Sequence, residues 1–262
     1  MLRPRITPCL LLRNQGLVKT RQFRDDKYVG DPINAVRIFN EKSVDELIVL
    51  DIDATTHNQQ PNFNLIKKLA DECRMPLCYG GGIKEVDQAK RIINMGVEKI
   101  ALSSVLFDNP DLISEIAGEI GAQSVVGVFD IKKGFLGKYS IYTHNGKKKR
   151  AGSLSDWIVR FQSLGVGEIL INSIDRDGTQ NGYDVELARR VSNYLNVPFT
   201  FMGGASSLAD VGDLIKLMGV GGYAAGSLFV FKGKYRAVLI NYPKFKDKLT
   251  LINNSLKIYN NK

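Results

Sequence analysis

Five carboxylates stand where apolar runs end: Asp51 and Asp53 after one, Asp130 after Val125-Val-Gly-Val-Phe129, and Asp175 and Asp177 in Asp175-Arg-Asp-Gly-Thr179. A carboxyl at the end of a hydrophobic strand is partly desolvated, which lifts its pKa toward the range useful for proton transfer. Asp130 has the most apolar approach and is the first candidate for that work. Glycines and hydroxyls close four other runs. Gly80-Gly81-Gly82 and Gly203-Gly204 follow two of them, and Ser103-Ser104 and Gly226-Ser227 follow another two. Backbone N–H groups free of side chains, beside hydroxyls and helix starts, suit a phosphate. Two such sets predict two phosphate sites, and the Asp177-Gly178-Thr179 turn is a further candidate for substrate binding.

Four charges precede apolar runs: Arg5, Glu46, Lys99 and Glu168. They either solvate one end of the fold or form a closed ring across it, and spacing leaves both open. The 2 histidines, His57 and His144, lie in polar stretches, so no multi-histidine metal site is expected, and no cofactor. The 3 cysteines, Cys9, Cys73 and Cys78, make neither a C-x-x-C motif nor a disulfide framework, which favours a reducing, cytoplasmic setting.

Elements that can position these residues are legible. Strands are predicted at Ile6 to Leu12, Glu46 to Ile52, Leu77 to Tyr79, Lys99 to Leu102, Ser124 to Asp130, Glu168 to Asn172, Phe199 to Met202 and Gly222 to Ala225. Amphipathic helical stretches such as Asn34 to Asn40, Lys84 to Met95 and Leu208 to Met218 lie between them. Asp31-Pro32 and Asn109-Pro110 read as N-caps followed by a first-turn proline. Eight strands alternating with helices are the count for a (β/α)8 barrel, an α/β fold whose ligands bind at the carboxyl ends of the strands.

The second half also restates the first. Pro76-Leu-Cys-Tyr-Gly-Gly-Gly-Ile83 returns as Pro198-Phe-Thr-Phe-Met-Gly-Gly-Ala205, 122 residues on, and Glu46-Leu-Ile-Val-Leu-Asp51 as Glu168-Ile-Leu-Ile-Asn-Ser173 at the same offset. One barrel over residues 1–262 is expected, with half-barrels at about 1–120 and 121–240 and a basic extension at about 241–262.

With 262 residues, 36 Lys+Arg against 27 Asp+Glu and 44% hydrophobic content, the composition is that of a globular protein of net charge +9. The basic residues are dispersed and not interleaved with aromatics, which argues against nucleic acid. No stretch has the ~20 apolar residues of a membrane span.

Over nearly its whole length, to about residue 240, the chain resembles the cyclase subunit of imidazole glycerol phosphate synthase. The resemblance rests on Arg5-Ile-Thr-Pro-Cys-Leu, Gly30-Asp-Pro, Asp45-Glu-Leu, Leu50-Asp-Ile, Gly80-Gly-Gly-Ile, Tyr142-Thr-His, Gly167-Glu-Ile-Leu, Ser173-Ile-Asp-Arg-Asp-Gly-Thr, Gly182-Tyr-Asp and Gly203-Gly-Ala. It implies a glutaminase on the amino-terminal face of the barrel and ammonia passing along the axis. It also implies that Arg5, Glu46, Lys99 and Glu168 gate that passage, that Lys19 helps hold substrate, and that the two glycine and serine clusters bind a bis-phosphate. One departure stands out: the family reads Pro-Cys-Leu-Asp, with that aspartate catalytic, where this chain has Pro8-Cys9-Leu10-Leu11. Ser103 replaces an asparagine and Asn172 a threonine.

Leu10-Leu-Leu-Arg-Asn14, Gly16-Leu-Val-Lys-Thr, Lys27-Tyr-Val-Gly-Asp-Pro-Ile-Asn and Phe39-Asn-Glu-Lys resemble a divergent branch, the glycosyl amidation-associated proteins of surface-polysaccharide gene clusters. That resemblance implies amidation of a phosphorylated or nucleotide-linked acyl-amino sugar, together with a glutaminase and a third, adenylating-type protein. The alternatives are a histidine-pathway cyclase that has moved its base to Asp51 or Asp177, and a barrel without catalysis that conducts ammonia for the glutaminase.

Overall fold

The computed structural model describes residues 3–261. Eight parallel strands close on themselves: β1 (Arg5–Arg13), β2 (Leu47–Asp51), β3 (Leu77–Gly80), β4 (Lys99–Leu102), β5 (Val125–Lys133), β6 (Glu168–Ser173), β7 (Phe199–Met202) and β8 (Gly222–Ala225). Each pairs with the next, and β8 returns to β1 with Arg5 opposite Gly222, which makes the (β/α)8 barrel expected from the strand count. Strand alternation divides the core in two. Ile6, Leu10 and Leu12 of β1 face outward into the layer beneath the helices. Cys9, with Leu11 beside it, faces the axis and packs with Ile48, Cys78, Ala101, Val126, Val128, Leu170, Met202 and Ala224.

Outside lie α1 (Pro32–Glu41), α2 (Phe63–Glu72), α3 (Val86–Asn94), α4 (Leu112–Ile120), α5 (Leu154–Ser163), α6 (Val185–Ser192), α7 (Leu208–Met218) and α8 (Phe245–Asn260). Asp31 caps α1, its carboxylate accepting the Asn34 N–H at 2.8 Å with Pro32 as first helical residue. The Asn109-Pro110 expectation needs correcting. Asn109 ends a one-turn helix at Ser104–Asp108, Pro110 sits in a turn, and α4 starts at Leu112 behind Asp111. Two antiparallel arms were also hidden in polar sequence. Gly16–Arg21 pairs with Arg24–Gly30, whose residues Arg24 to Tyr28 are exposed. Strand β5 runs past Asp130 and folds back as Tyr139–Thr143.

The segment after residue 240 packs as the last outer helix. On α8, Lys248 is buried and its ammonium lies 2.6 Å from the Asp45 carboxylate. Asp45 also accepts the Ile6 N–H at 3.0 Å, while the Tyr242 hydroxyl donates to the Ile6 carbonyl at 2.7 Å. The chain's last helix thus fixes the start of β1, one residue from Arg5. Removing one partner of a buried pair costs about 3–5 kcal/mol when the other charge is left bare, and here the half-exposed Arg3, 3.9 Å from Asp45, offsets only part of the loss. Lys248→Met is expected to lower the melting temperature by about 6 °C or more. The exposed neighbour variant Lys246→Met should change stability by less than about 0.5 kcal/mol, and equal melting of the two variants would show that Asp45 needs no cation.

Candidate functional site

The floor of the barrel carries the four charges that precede the strands. Arg5 reaches Glu46 at 2.9 Å and Glu168 at 2.7 Å, and Lys99 reaches the same two carboxylates at 2.7 Å each. Thr200 adds a hydrogen bond to Glu168 at 2.6 Å. This is the closed ring, one of the two arrangements left open by spacing. Both carboxylates are buried. Burial pushes the Glu168 carboxyl up, but Arg5 and Lys99 outweigh it and hold it below its ordinary value. Burial likewise pulls the Lys99 ammonium down, and Glu168 and Glu46 more than offset this. Glu168 and Lys99 are therefore both held in their charged forms.

At the other end opens a cavity of about 450 Å³. Leu11, Lys19, Gly81, Gly82, Ser103, Ser104, Asp130, Asp177, Gly178, Gly203, Gly204, Gly226 and Ser227 all line it. Thr179 does not, because its hydroxyl donates to the Arg176 carbonyl at 2.8 Å inside its own turn. Asp53 and Asp175 are likewise spent on structure. Arg13 and the Asn14 N–H hold Asp53 at 3.1 and 3.3 Å, and Asp175 accepts the Lys133 N–H at 2.6 Å. Asp51 remains on the cavity wall, accepting the N–H groups of Asp53 and Ala54 at 3.0 Å.

The glycine clusters fit close backbone approach. At Gly82, with φ +73°, a Cβ would fall 2.8 Å from the Gln59 carbonyl oxygen; at its repeat partner Gly204, with φ +104°, one would fall 2.2 Å from that of Gly182. Sequence reasoning passed over His144, Asn145 and Arg236. His144 lies on the cavity wall, its backbone N–H donating to the Ser104 hydroxyl at 3.2 Å. Burial, with Arg150 adding to it, lowers the His144 pKa, so the ring is neutral near pH 7. His144 closes the Tyr142-Thr-His motif, from which no site role follows, and Asn145 and Arg236 belong to no motif; the first two sit in the turn after the folded-back strand Tyr139–Thr143.

Asp130 projects from the top of β5 beside Asn172 of β6, whose amide donates to it at 2.9 Å. Burial pushes the Asp130 carboxyl up to about 7; Asn172 pulls it down and Asp177 adds to the rise. Asp177 is itself raised by burial, against a 2.8 Å hydrogen bond from Thr20 and the charge of Lys19. Lys19 is buried, and its ammonium, lowered by burial, donates to the Cys9 carbonyl. Leu11, on the same cavity wall, is paired in register with Leu50. One carboxyl titrating near neutrality beside an amide, in a cavity that Lys19 also lines, can take or give a proton.

An unfolded aspartate titrates near 3.9, so above pH ~4 the unfolded chain releases a proton that the fold retains. The resulting destabilisation grows up to pH ~7 and is constant beyond. Asp130→Asn should therefore match the parent's melting temperature at pH 4 and exceed it by about 4 °C or more at pH 8. No gain at pH 8 would place this carboxyl in the ordinary range.

A family model, histidine biosynthesis protein, matches residues 5–236. A protein of Leptospira borgpetersenii, provisionally named imidazole glycerol phosphate synthase subunit HisF, is 55% identical over 96% of this chain and 99% of its own length. One of Pseudomonas aeruginosa, provisionally named as subunit hisF2, is 52% identical over 93% of this chain and 97% of its own. Imidazole glycerol phosphate synthase subunit HisF of Alkaliphilus metalliredigens is 37% identical over 95% and 96%. The chain therefore belongs to the histidine biosynthesis protein family, as a HisF-like synthase subunit.

Proposed function

We propose that this barrel is the synthase subunit of a glutamine amidotransferase, receiving ammonia through its floor and transferring it to a sugar held in the mouth. The observation that carries this is the pairing of a complete charged ring at one end of an apolar axis with an altered mouth at the other. Buried ion pairs seldom stabilise more than apolar side chains of similar volume. A ring of four charges where apolar residues would pack as well suits a gate facing a glutaminase.

Above the ring the axis is lined by Cys9, Ile48, Cys78, Ala101, Val126 and Leu170, an apolar path toward Asp130. Neutral ammonia crosses such a lining more readily than ammonium does. In the mouth its nitrogen adds to the acyl carbon of an acceptor whose amide oxygen a third, adenylating-type protein has adenylylated; the C–O bond then breaks, AMP leaves with its electron pair, and Asp130, as the carboxylate, takes the proton that the nitrogen must lose. Leu11 leaves no second carboxyl at that level for the ring closure of the histidine pathway. The 52 and 51% identity to relatives named hisF2 and hisF3, against 37% to an Alkaliphilus HisF, is in keeping with a separate branch.

A second assignment, the histidine-pathway cyclase, is favoured by Asp177 and Asp51, both on the cavity wall with raised pKa values. Assay with ammonium salts separates the two. Loss of one positioned acid or base costs ~10²- to 10⁴-fold, so turnover of the histidine-pathway substrate should be slower than in a cyclase with both carboxyls by about that factor. Leu11→Asp should restore part of it, whereas robust activity of the unaltered chain would make it a cyclase.

With the cognate glutaminase bound, Lys99→Ala or Glu46→Ala should lower incorporation of glutamine nitrogen into an N-acylated nucleotide sugar and leave incorporation from ammonium salts largely unchanged. Equal losses from both nitrogen sources would make the ring a structural plug.

A further inference from the structure

The two glycine cradles are alike in backbone and unlike in charge. At Gly226-Ser227 two cations converge. Lys19 Nζ lies so close that a Cβ on Gly226 would fall 2.6 Å from it. Arg236 comes from the turn between the short strands Phe231–Lys232 and Ala237–Val238. Its guanidinium rests 4.6 Å over the Phe231 ring, donating to the Gly178 carbonyl at 3.3 Å and the Ser227 hydroxyl at 3.5 Å. Among the described residues neither cation has a carboxylate at ion-pair distance. Asp177, the carboxylate nearest Lys19 in effect, is occupied by Thr20.

At Gly81-Gly82 and Ser103-Ser104 the balance is reversed. Asp51 stands against Gly81, where a Cβ would fall 2.7 Å from its own Cβ. Arg150 reaches the Ser104 carbonyl at 3.4 Å, but unlike Arg236 it is paired with a carboxylate, that of Asp108 on the same wall at 2.6 Å, and Lys84 is turned to the Asn58 side chain. The Ser103 hydroxyl is buried without a partner, and so is the Asn172 carbonyl oxygen between the two ends. An orphaned buried polar atom costs about 1–3 kcal/mol, so each calls for a hydrogen-bonding group brought by a ligand.

We propose that the acceptor is anionic at one end only: Lys19 and Arg236 hold its phosphate over Gly226-Ser227, and a neutral, hydrogen-bonding end lies over Gly81-Gly82 and Ser103. Arg236 is the residue that sets this polarity. The assignment narrows the two phosphate sites expected from the repeat to one. It rests on the mouth being the acceptor site and is independent of how nitrogen arrives.

Titration calorimetry of the full chain with inorganic phosphate, paired with crystals soaked in phosphate, tests it. One phosphate per chain, seen beside Ser227, is expected. Arg236→Gln should weaken binding by about tenfold or more, the worth of a charge-assisted hydrogen bond, and Lys84→Gln should leave it within about twofold. Two phosphates per chain, an anion beside Ser104, no binding at millimolar phosphate, or equal losses in the two variants would each overturn it. Pyrophosphate binding tighter than phosphate would assign a diphosphate end, and equal affinity a single phosphate. Failure to bind any glutaminase would remove the ammonia route and leave this assignment standing, so the two fail separately.

Discussion

Glu46 and Glu168 are buried in the floor of a closed barrel, and a buried carboxylate is tolerable only when paired. Arg5 and Lys99 each bridge both, so four strands far apart in sequence must arrive at one level for any of the four charges to be satisfied. That requirement holds β1, β2, β4 and β6 in mutual register at their starts. With alternation fixed from there, every second residue above the ring faces the axis. The apolar layer through Cys9, Val128 and Leu170 follows, and then the level of Leu11, Asp130 and Asn172. The last helix serves the same end, since Lys248 and Asp45 tie down Ile6 next to Arg5.

The top of the axis obeys the opposite rule. Asp130, half-buried on the cavity wall, receives one neutral amide and, among the described residues, no ion pair, so its desolvation is left uncompensated and its carboxyl stays near neutrality. The same physics makes one end of the axis an ion-paired ring and leaves the other poised to exchange a proton. Lys19 belongs with Asp130 in this respect, since its ammonium is buried against a backbone carbonyl with no carboxylate at ion-pair distance.

Strands and glycine cradles were legible because their signals are local or repeated. Apolar runs give the strands to within a residue or so, and the offset of 122 residues gives the paired clusters without any knowledge of contacts. What escaped depends on approach across long separations. Thr179 belongs to the right turn, but its hydroxyl faces back into it. Pro110 imitates a helix start although the chain makes a turn before α4. The antiparallel arms mix buried and exposed polar residues, so no apolar period marks them, and one of them carries His144 to the cavity. Arg236 lies among dispersed surface cations in the sequence, and only folding brings it onto Ser227.

The residues that the sequence resemblance marks as departures are not scattered. Leu11, Ser103 and Asn172 all line one cavity, while Arg5, Glu46, Lys99 and Glu168 keep both their identities and a complete set of ion pairs. A leucine in place of a carboxyl removes a proton carrier and a charge. The buried Ser103 hydroxyl and Asn172 carbonyl add uncharged hydrogen-bonding capacity that the protein does not use on itself. A barrel whose mouth had merely decayed would have no reason to bury polar atoms without partners, because apolar side chains there would be more stable. A ligand that filled the mouth and reached them would offset that cost, which ties these two atoms to the reading of the mouth as an acceptor site.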